Sequence, residues 1–531
     1  MKNNTKGIGF KNFRRFENFP SLEFGNITYM VGRNNSGKST MVKALLLVMD
    51  YLQNQLDDNF SFDNKVLEDA NIVTFGRAKN NLSKEPTITF KYELEQFDIY
   101  IIISGQDKNT KAKVNVLSIN DAKIGINLNI NYSKGTITVS KELIEDEKVD
   151  DNNLNIIKQL EDSVSELQKE LDTVTDKTSK ESIELMTTYK KATEKLKNAN
   201  KLRPKKNKLK GDKQYTLTYP LSDLLPYDDN DDNFLRSTIE KFIRHNKVQS
   251  TKSKKEIKNF DDVLKLKRNN RHLTGFSNEI TQSINKQYFY FIGANPSKQS
   301  ALFYLRDKNN ALSQAIHNFY QLTEGEKNND ETRFIKYWMK RFEVGEDFNI
   351  NMHAGEAYEF KILEEEFKKD ESIEETQEKY VSLSDKGMGS LQAMVLILNV
   401  ASLIRINKKD KKAVTLLVEE PELNLHPALQ SKLTEFFHDV NKEYGFNFIV
   451  ETHSEYMIRK AQLLAIEEDY IKNQDINPNP FKIVYFHKEE GPYEMEFTEQ
   501  GKFKKDFGPG FYNEASDISI EIIKNIRKNK S

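Results

Sequence analysis

Val31-Gly32-Arg33-Asn34-Asn35-Ser36-Gly37-Lys38-Ser39-Thr40 follows the apolar run Ile27-Thr28-Tyr29-Met30 and leads into Met41-Val42-Lys43-Ala44-Leu45-Leu46-Leu47. Gly32 to Ser39 matches GxxxxGK[ST]. The strand, loop and helix patterns around it are the context a phosphate loop needs. Its glycines let backbone N–H groups close around an anion. The helix N-terminus adds a partial positive charge, and Lys38 adds a full one. Ser39 can place its hydroxyl on Mg²⁺. The candidate binding residues are Gly32, Asn34, Asn35, Ser36, Gly37, Lys38, Ser39 and Thr40. A glycine-rich turn without a ligand is the competing interpretation.

The chain has 531 residues, enough for two or more lobes. Its 80 basic and 81 acidic side chains leave a net charge of −1, so charge alone implies no partner. The sequence holds no cysteine, which excludes disulfides, thiolate zinc sites and cysteine nucleophiles within it and fits a reducing compartment. No apolar run approaches the roughly 18 residues of a membrane span. Residues 1–6 lack the apolar segment of a secretory signal. The expectation is a cytoplasmic protein with no membrane contact.

Residues 7–31 read as two strands with a turn, with Phe10, Phe13, Phe16, Phe19 and Phe24 as core rings. Residues 40–56 read as a helix, and 85–140 as strand-rich. The pattern changes over 152–200. Ile157, Leu160, Val164, Leu167, Leu171 and Val174 step by three and four; so do Leu185, Tyr189, Ala192 and Leu196. This spacing predicts an antiparallel helical hairpin, a short coiled-coil arm; two ordinary surface helices are the alternative. Basic runs at 195–210 and 244–271 flank an acidic loop at 228–232. They read either as solvated faces or as contacts to a nucleic-acid backbone. Strand returns at 288–293, and a charged helical region spans 309–345. After 461 come a helix, two strands (481–486 and 493–497) and a terminal helix. The division is an N-terminal lobe at 1–148, an inserted helical and basic arm at 149–284, a C-terminal lobe at 285–515 and a tail at 516–531.

Val414-Thr415-Leu416-Leu417-Val418-Glu419-Glu420-Pro421-Glu422 reads as a buried strand ending in carboxylates. Ligands of α/β folds bind at such strand ends. Glu419 suits a Mg²⁺ shell, and Glu420 suits a base for attacking water. An acidic turn is the alternative. Asn447-Phe448-Ile449-Val450-Glu451-Thr452-His453-Ser454 is a second such strand, from which His453 can reach a phosphate or the water. Leu383-Ser384-Asp385-Lys386-Gly387-Met388-Gly389-Ser390-Leu391-Gln392 runs into a helix. Small residues before a helix N-terminus make an anion nest, so Ser384, Lys386, Gly387, Gly389 and Ser390 join the candidates.

Together these segments resemble the ABC-type ATPases of the SMC, RecF and OLD group. The similarity to OLD-like and RecF-like AAA families lies in Gly32 to Thr40, in Glu-Glu-Pro-Glu-x-x-Leu-His-Pro from Glu419 to Pro427, and in Thr452-His453-Ser454. The strand into Ile292-Gly293 with Pro296 beyond it, and Phe507-Gly508-Pro509-Gly510-Phe511-Tyr512-Asn513-Glu514, resemble the uncharacterised family DUF3696. The middle arm is not covered by the resemblance. It implies an α/β fold, an ABC-type P-loop ATPase head that hydrolyses ATP with Mg²⁺. It also implies a homodimer or higher homo-oligomer formed through the heads, in which 384–390 of a second subunit cap the γ-phosphate. By match, Lys38 contacts the β/γ-phosphates, Ser39 and Glu419 serve Mg²⁺, Glu420 is the base, His453 is the switch, and Asn424 to His426 form the D-loop.

Three departures stand out. Ser384 to Ser390 replaces Leu-Ser-Gly-Gly-Gln, Glu419 replaces the Walker B aspartate, and Gln53 and Gln55 are only candidates for the Q-loop. OLD relatives carry a TOPRIM nuclease, but the stretch after His453 shows no Asp-x-Asp at a strand end and is short for such a domain. The resemblance implies a bacterial anti-phage defence ATPase working with a separate effector protein. The alternatives are a RecF- or SMC-like DNA-binding repair ATPase and a nucleotide-stabilised scaffold with little turnover.

Overall fold

The computed structural model describes residues 5–55, 58–63, 73–123, 125–142, 214–220, 275–294, 300–307, 310–323, 329–367, 377–472, 477–488, 490–508 and 518–524, with isolated positions between 164 and 193. The chain divides into two compact units. The larger is Met1–Asn120, Asn129–Ile137 and Tyr219–Ser531; the smaller is Asp121–Leu128 and Thr138–Thr218.

The first strands are β1 (Thr5–Phe13), β2 (Phe16–Glu23) and β3 (Ile27–Gly32), three where two were expected. Helix α1 (Lys38–Asp50) continues through a π-helical turn at Tyr51–Gln55. Then come β4 (Asn59–Ser61), β5 (Thr87–Leu94), β6 (Phe97–Ser104), β7 (Lys111–Asp121), β8 (Ile126–Asn131), β9 (Thr136–Glu142), β10 (Gln214–Pro220), β11 (Gln287–Ile292) and β12 (Phe303–Tyr304). The charged region resolves into two helices, α2 (Ala311–Thr323) and α3 (Asp330–Arg341). Strands β13 (Asp347–His353), β14 (Ala357–Phe367) and β15 (Gln377–Ser382) precede α4 (Met388–Asp410). The chain then alternates through β16 (Ala413–Glu419), α5 (Pro427–Tyr444), β17 (Asn447–Glu451), α6 (Glu455–Glu467) and β18 (Phe481–His487), and adds β19 (Gly491–Glu494).

The site rests on a sheet of order β11-β16-β17-β3-β18-β19, parallel except for the last pair. Strands β16, β17 and β3 read as continuous apolar runs because helices cover both faces of such sheets. Register fixes their ends. Glu419 lies opposite Glu451, Glu451 opposite Met30, and Phe486 opposite Gly32. The phosphate loop and both acidic strand ends therefore share one edge.

An antiparallel sheet runs β2-β1-β5-β6-β7, with β4 on β7. Helix α1 has almost no polar face. It packs on β1, β3 and β5, which buries Met41, Val42 and every residue from Ala44 to Asp50. Phe10 stacks on Phe19 at 4.3 Å, and Phe13 meets Phe90 edge-on at 5.2 Å, as the aromatic spacing anticipated. A third sheet, β12-β14-β13 with β15 on β14, delivers the chain to α4. β10 neighbours β9 and β9 neighbours β8, and each of these three strands contributes residues to the smaller unit.

Helix α4 corrects one expectation. By length and composition it is apolar enough to cross a membrane, yet 78% of that 18-residue window is buried within the fold. It packs on α2 and α3, and Asn399 and Ser402 donate back to the carbonyls of Val395 and Leu398 at 2.9 Å. It is a core helix. Val164, Ser165, Gln168, Met186, Thr188, Tyr189 and Thr193 are helical. The rest of the expected coiled-coil arm, both basic runs, Pro296 and 509–514 lie outside the described residues.

Trp338 on α3 anchors the core beneath α5. Its ring is 4.9 Å from Phe436, edge-on, with the Arg341 guanidinium 5.2 Å above it. Trp338→Ala is expected to cost about 3–5 kcal/mol, read as a lower midpoint in chemical denaturation.

Candidate nucleotide site

Gly32 ends β3 at φ 148°, and Gly37 precedes α1 at φ 108°. A Cβ at Gly32 would lie 2.8 Å from the Phe486 carbonyl, and one at Gly37 would overlap the Phe16 ring. Both turns therefore need glycine. Between them Arg33, Asn34 and Asn35 are exposed, whereas Ser36, Gly37, Lys38 and Thr40 are buried. The Ser36 hydroxyl finds no partner among the described residues. Lys38 Nζ donates to the carbonyls of Gly32 (3.0 Å) and Arg33 (3.2 Å) and stands 3.8 Å from Glu451 Oε1. Burial pushes the lysine pKa down, opposed by Glu451, Glu420 and Glu422.

The pocket in front of the loop measures about 760 Å³. Besides the loop and Glu451, it is lined by Arg14, Arg15, Lys43, Arg77 and Lys79. Burial and then Arg77 lower the Arg14 pKa; burial and then Arg14 lower that of Lys43. Two such depressed cations, Arg14 and Lys43, beside the loop favour an anion. None of these five was singled out from sequence. Arg14 and Arg15 arrive through the β1–β2 turn and Arg77 through a short helical turn at 75–78, and neither carries a motif.

Glu451 is the central residue that sequence reasoning passed over. It is 5% exposed and ends β17 between the other two strand ends. Its Oε1 accepts the Ser39 hydroxyl at 3.0 Å, while Oε2 has no partner among the described residues. Burial raises its pKa, against Ser39 and Lys38. Glu419 lies beside it. Burial first, and then Glu451, raise the Glu419 pKa to about 7, although the Ala294 N–H bonds to it. Ser39 thus bonds directly to Glu451, a third acid beside the two residues, Ser39 and Glu419, expected to serve the cation.

Glu420 adopts φ 45°, a left-handed conformation that non-glycine residues seldom hold. Its N–H donates to the Glu451 carbonyl at 2.8 Å. His453 Nε2 is 3.9 Å from Glu420 Oε1. Burial, helped by Lys38, holds the His453 pKa down at about 4, so at neutral pH the ring is uncharged and the contact is no ion pair. The His453 N–H donates to Glu422 Oε1 at 2.6 Å, which ties the two strand-end loops together. One ligand atom each from Glu420, Glu451 and His453 falls within 4.8 Å of the others, a grouping that can hold a metal ion.

The segment 384–390 is not part of this pocket's lining. Ser384 Oγ pairs with Ser382 Oγ at 2.7 Å, and Lys386 reaches Glu364 at 2.9 Å. Gly387 faces open space, and Ser390 N–H bonds to the Gly387 carbonyl at 2.9 Å. A Cβ on Gly389 would meet the Asn424 carbonyl at 2.6 Å, so this glycine packs within its own chain against the Asn424–Leu425 turn. Gln53 does not reach the site. Its amide donates at 2.8 Å to the Gln287 carbonyl, at the opposite end of the parallel sheet. The Gln55 side chain is outside the described residues.

The chain belongs to the AAA ATPase domain family, whose model matches residues 6–458. No curated protein matches it. Among solved structures it is similar to an Smc head domain with an extended coiled coil, bound to the C-terminal domain of ScpA, from Pyrococcus furiosus. Identity is 12%, coverage is 98% of this chain and 99% of that one, and the TM-score is 0.33. It is also similar to the SMC head domain from Thermotoga maritima, at 9% identity, 91% and 95% coverage and a TM-score of 0.30.

The site fits a nucleotide and its divalent cation. Glycine turns leave room that a Cβ would fill, the Ser36 hydroxyl is unpartnered, and buried oxygens of Glu419 and Glu451 are unpartnered among the described residues. The Glu419 carboxyl gives a pH test on the nucleotide-free protein. Its folded pKa of about 7 lies above the ordinary value of 4.5. The stability it contributes is complete below 4.5 and is lost as pH rises through 7. Glu419→Gln escapes that loss. Its stability relative to the parent should rise between pH 4.5 and 7 and level off above, by roughly 1–3 kcal/mol. A flat difference across that range in denaturant titrations would refute the raised pKa.

Proposed function

We propose that the chain is a Mg²⁺-dependent, ABC-type ATPase whose heads pair when ATP binds. The observation that carries this reading is the convergence of Lys38, Ser39, Glu420, Glu451 and His453 at one sheet edge, with the anion nest 384–390 outside the same pocket. Gly32, Asn34, Asn35, Ser36, Gly37 and Thr40 wrap the phosphates through backbone and hydroxyl groups. Lys38 trades its two carbonyl partners for phosphate oxygens. Ser39 and Glu419 hold the cation, which when bound neutralises phosphate charge. Glu420 takes the proton of the attacking water. Neutral His453 orients that water or the γ-phosphate with an uncharged ring nitrogen. Ser384, Lys386, Gly387, Gly389 and Ser390 present the helix α4 N-terminus to the ATP of a second head.

The downstream role follows the resemblance: a switch in anti-phage defence that passes its paired state to a separate effector protein. The two basic runs favour a second reading, a RecF- or SMC-like ATPase that binds DNA. Binding that falls steeply with salt and weakens on charge reversal at Lys205, Lys206 and Lys208 would select the second reading. Co-purification of an effector lost with the same variant would select the first.

Glu420→Gln should keep ATP affinity and lower turnover by about 10²–10⁴-fold; wild-type turnover would remove Glu420 from the base role. Lys38→Ala should weaken ATP binding itself in a calorimetric titration. Light scattering of Glu420→Gln should double the mass on adding ATP and Mg²⁺, and Gly387→Arg should prevent it. Gly387 is the better position for this test than Gly389, because it faces open space while Gly389 packs on Asn424 of its own chain. An ATP-saturated monomer would defeat the pairing model.

A further inference from the structure

We propose that Glu451 makes nucleotide binding conditional on a divalent cation. Its carboxylate joins Ser39 in the cation's ligand shell; without the cation it occupies Ser39 and Lys38 and repels the phosphates. This inference rests on the ATPase reading above.

The geometry is specific to Glu451. It is the acid that accepts the Ser39 hydroxyl, and its Oε1 is the oxygen standing 3.8 Å from Lys38 Nζ. Its other oxygen is buried and unpartnered among the described residues, although the residue is only 5% exposed. Glu420 and His453 each bring a ligand atom within 4.8 Å of it. Glu419, on the neighbouring strand, takes the Ala294 N–H instead. The groups facing Glu451 are thus Lys38, Ser39 and Lys43 from α1, Glu419 and Glu420 from the β16 end, and His453 from its own loop. Lys38 and Lys43 are the cations acting on it, against three carboxylates including its own.

A triphosphate entering this edge adds several negative charges a few ångströms from a buried carboxylate. At an effective dielectric near 20, one such charge at about 6 Å weakens binding by about a hundredfold. A dication reverses the sign, because the same carboxylate then contributes to holding it. Mg²⁺ accepts one or two carboxylates together with phosphate oxygens and water, and Glu451 with Ser39 is such a set. This role gives a function to a buried glutamate at the end of β17, opposite Glu419 at the end of β16.

The test is ATP titration by calorimetry, in Mg²⁺ and in EDTA, on the full chain and on Glu451→Gln and Glu451→Ala. Mn²⁺ affinity of the nucleotide complex, read by electron paramagnetic resonance, is a second readout. In the parent, removing the cation should weaken ATP binding about a hundredfold or more. In the variants that ratio should fall below about tenfold, through a gain in EDTA and a loss of Mn²⁺ affinity. Two variants keep the test decisive if one of them fails to fold; a thermal melt identifies the one that keeps its fold. An unchanged ratio, or equal loss of affinity in both conditions, overturns the assignment of Glu451. A parent that binds ATP in neither condition overturns the nucleotide-site reading itself.

Discussion

The ammonium of Lys38 sits buried at the ends of three parallel strands, and the candidate site is arranged around it. A buried charge without partners costs several kcal/mol. Here two loop carbonyls and Glu451 receive it. That set of partners requires β17 to lie between β3 and β16, in the register that places Glu451 opposite both Met30 and Glu419. It also requires the two glycine turns, because any side chain at 32 or 37 would collide with Phe486 or Phe16. The carboxylates need the lysine as much as it needs them. Glu419, Glu422 and Glu451 are all pushed toward their neutral forms by burial. The edge is a mutually dependent charge cluster with buried oxygens left over, the electrostatic signature of a polar ligand site.

A contiguous set of contacts leads from this cluster to the segment facing outward. Glu420 holds a strained φ of 45° and Asn424 one of 62°. Between them Glu422 is pinned by the His453 N–H. Leu425 N–H returns to the Glu422 carbonyl at 3.0 Å, and the Asn424–Leu425 turn is the surface on which Gly389 rests. Backbone atoms and one carboxylate thus form a continuous structural connection between the His453 loop and the α4 N-terminus. Strain of this kind persists only where its surroundings enforce it, and here it separates the proposed base from the proposed partner-facing nest by a few residues of rigid turn.

Parallel strands β3, β16 and β17 were legible because burial on both faces leaves a continuous apolar run, and the carboxylates after Val418 announced a strand end. The loop was legible because its spacing is itself the geometry. Glu451 was not, since a glutamate closing an apolar run acquires meaning only from the strands paired with it, and register between segments far apart in sequence is not written locally. Arg14, Arg15 and Arg77 were missed for the same reason: three-dimensional neighbours of Lys38, they belong to turns without motifs. Gln53 failed as a Q-loop candidate because the helical chain carries it past the site to the start of β11. Helix α4 escaped notice as a long apolar stretch because Gln392, Asn399 and Ser402 interrupt it; in the fold Asn399 Nδ2 and Ser402 Oγ donate to its own carbonyls, and Asn399 Oδ1 accepts the Tyr290 hydroxyl at 2.6 Å.

The state of His453 completes the electrostatic argument. A histidine 3.9 Å from a carboxylate is ordinarily held protonated, and an ion pair with Glu420 would engage an oxygen of the proposed base. Burial and the nearby Lys38 charge work the other way and keep the imidazole neutral. The Glu420–His453 contact is thus no ion pair, and His453 retains one nitrogen to donate and one to accept. Lys38 therefore acts twice in this arrangement. In the proposed ATPase it offers its charge to phosphate, and after burial that same charge helps to keep His453 neutral.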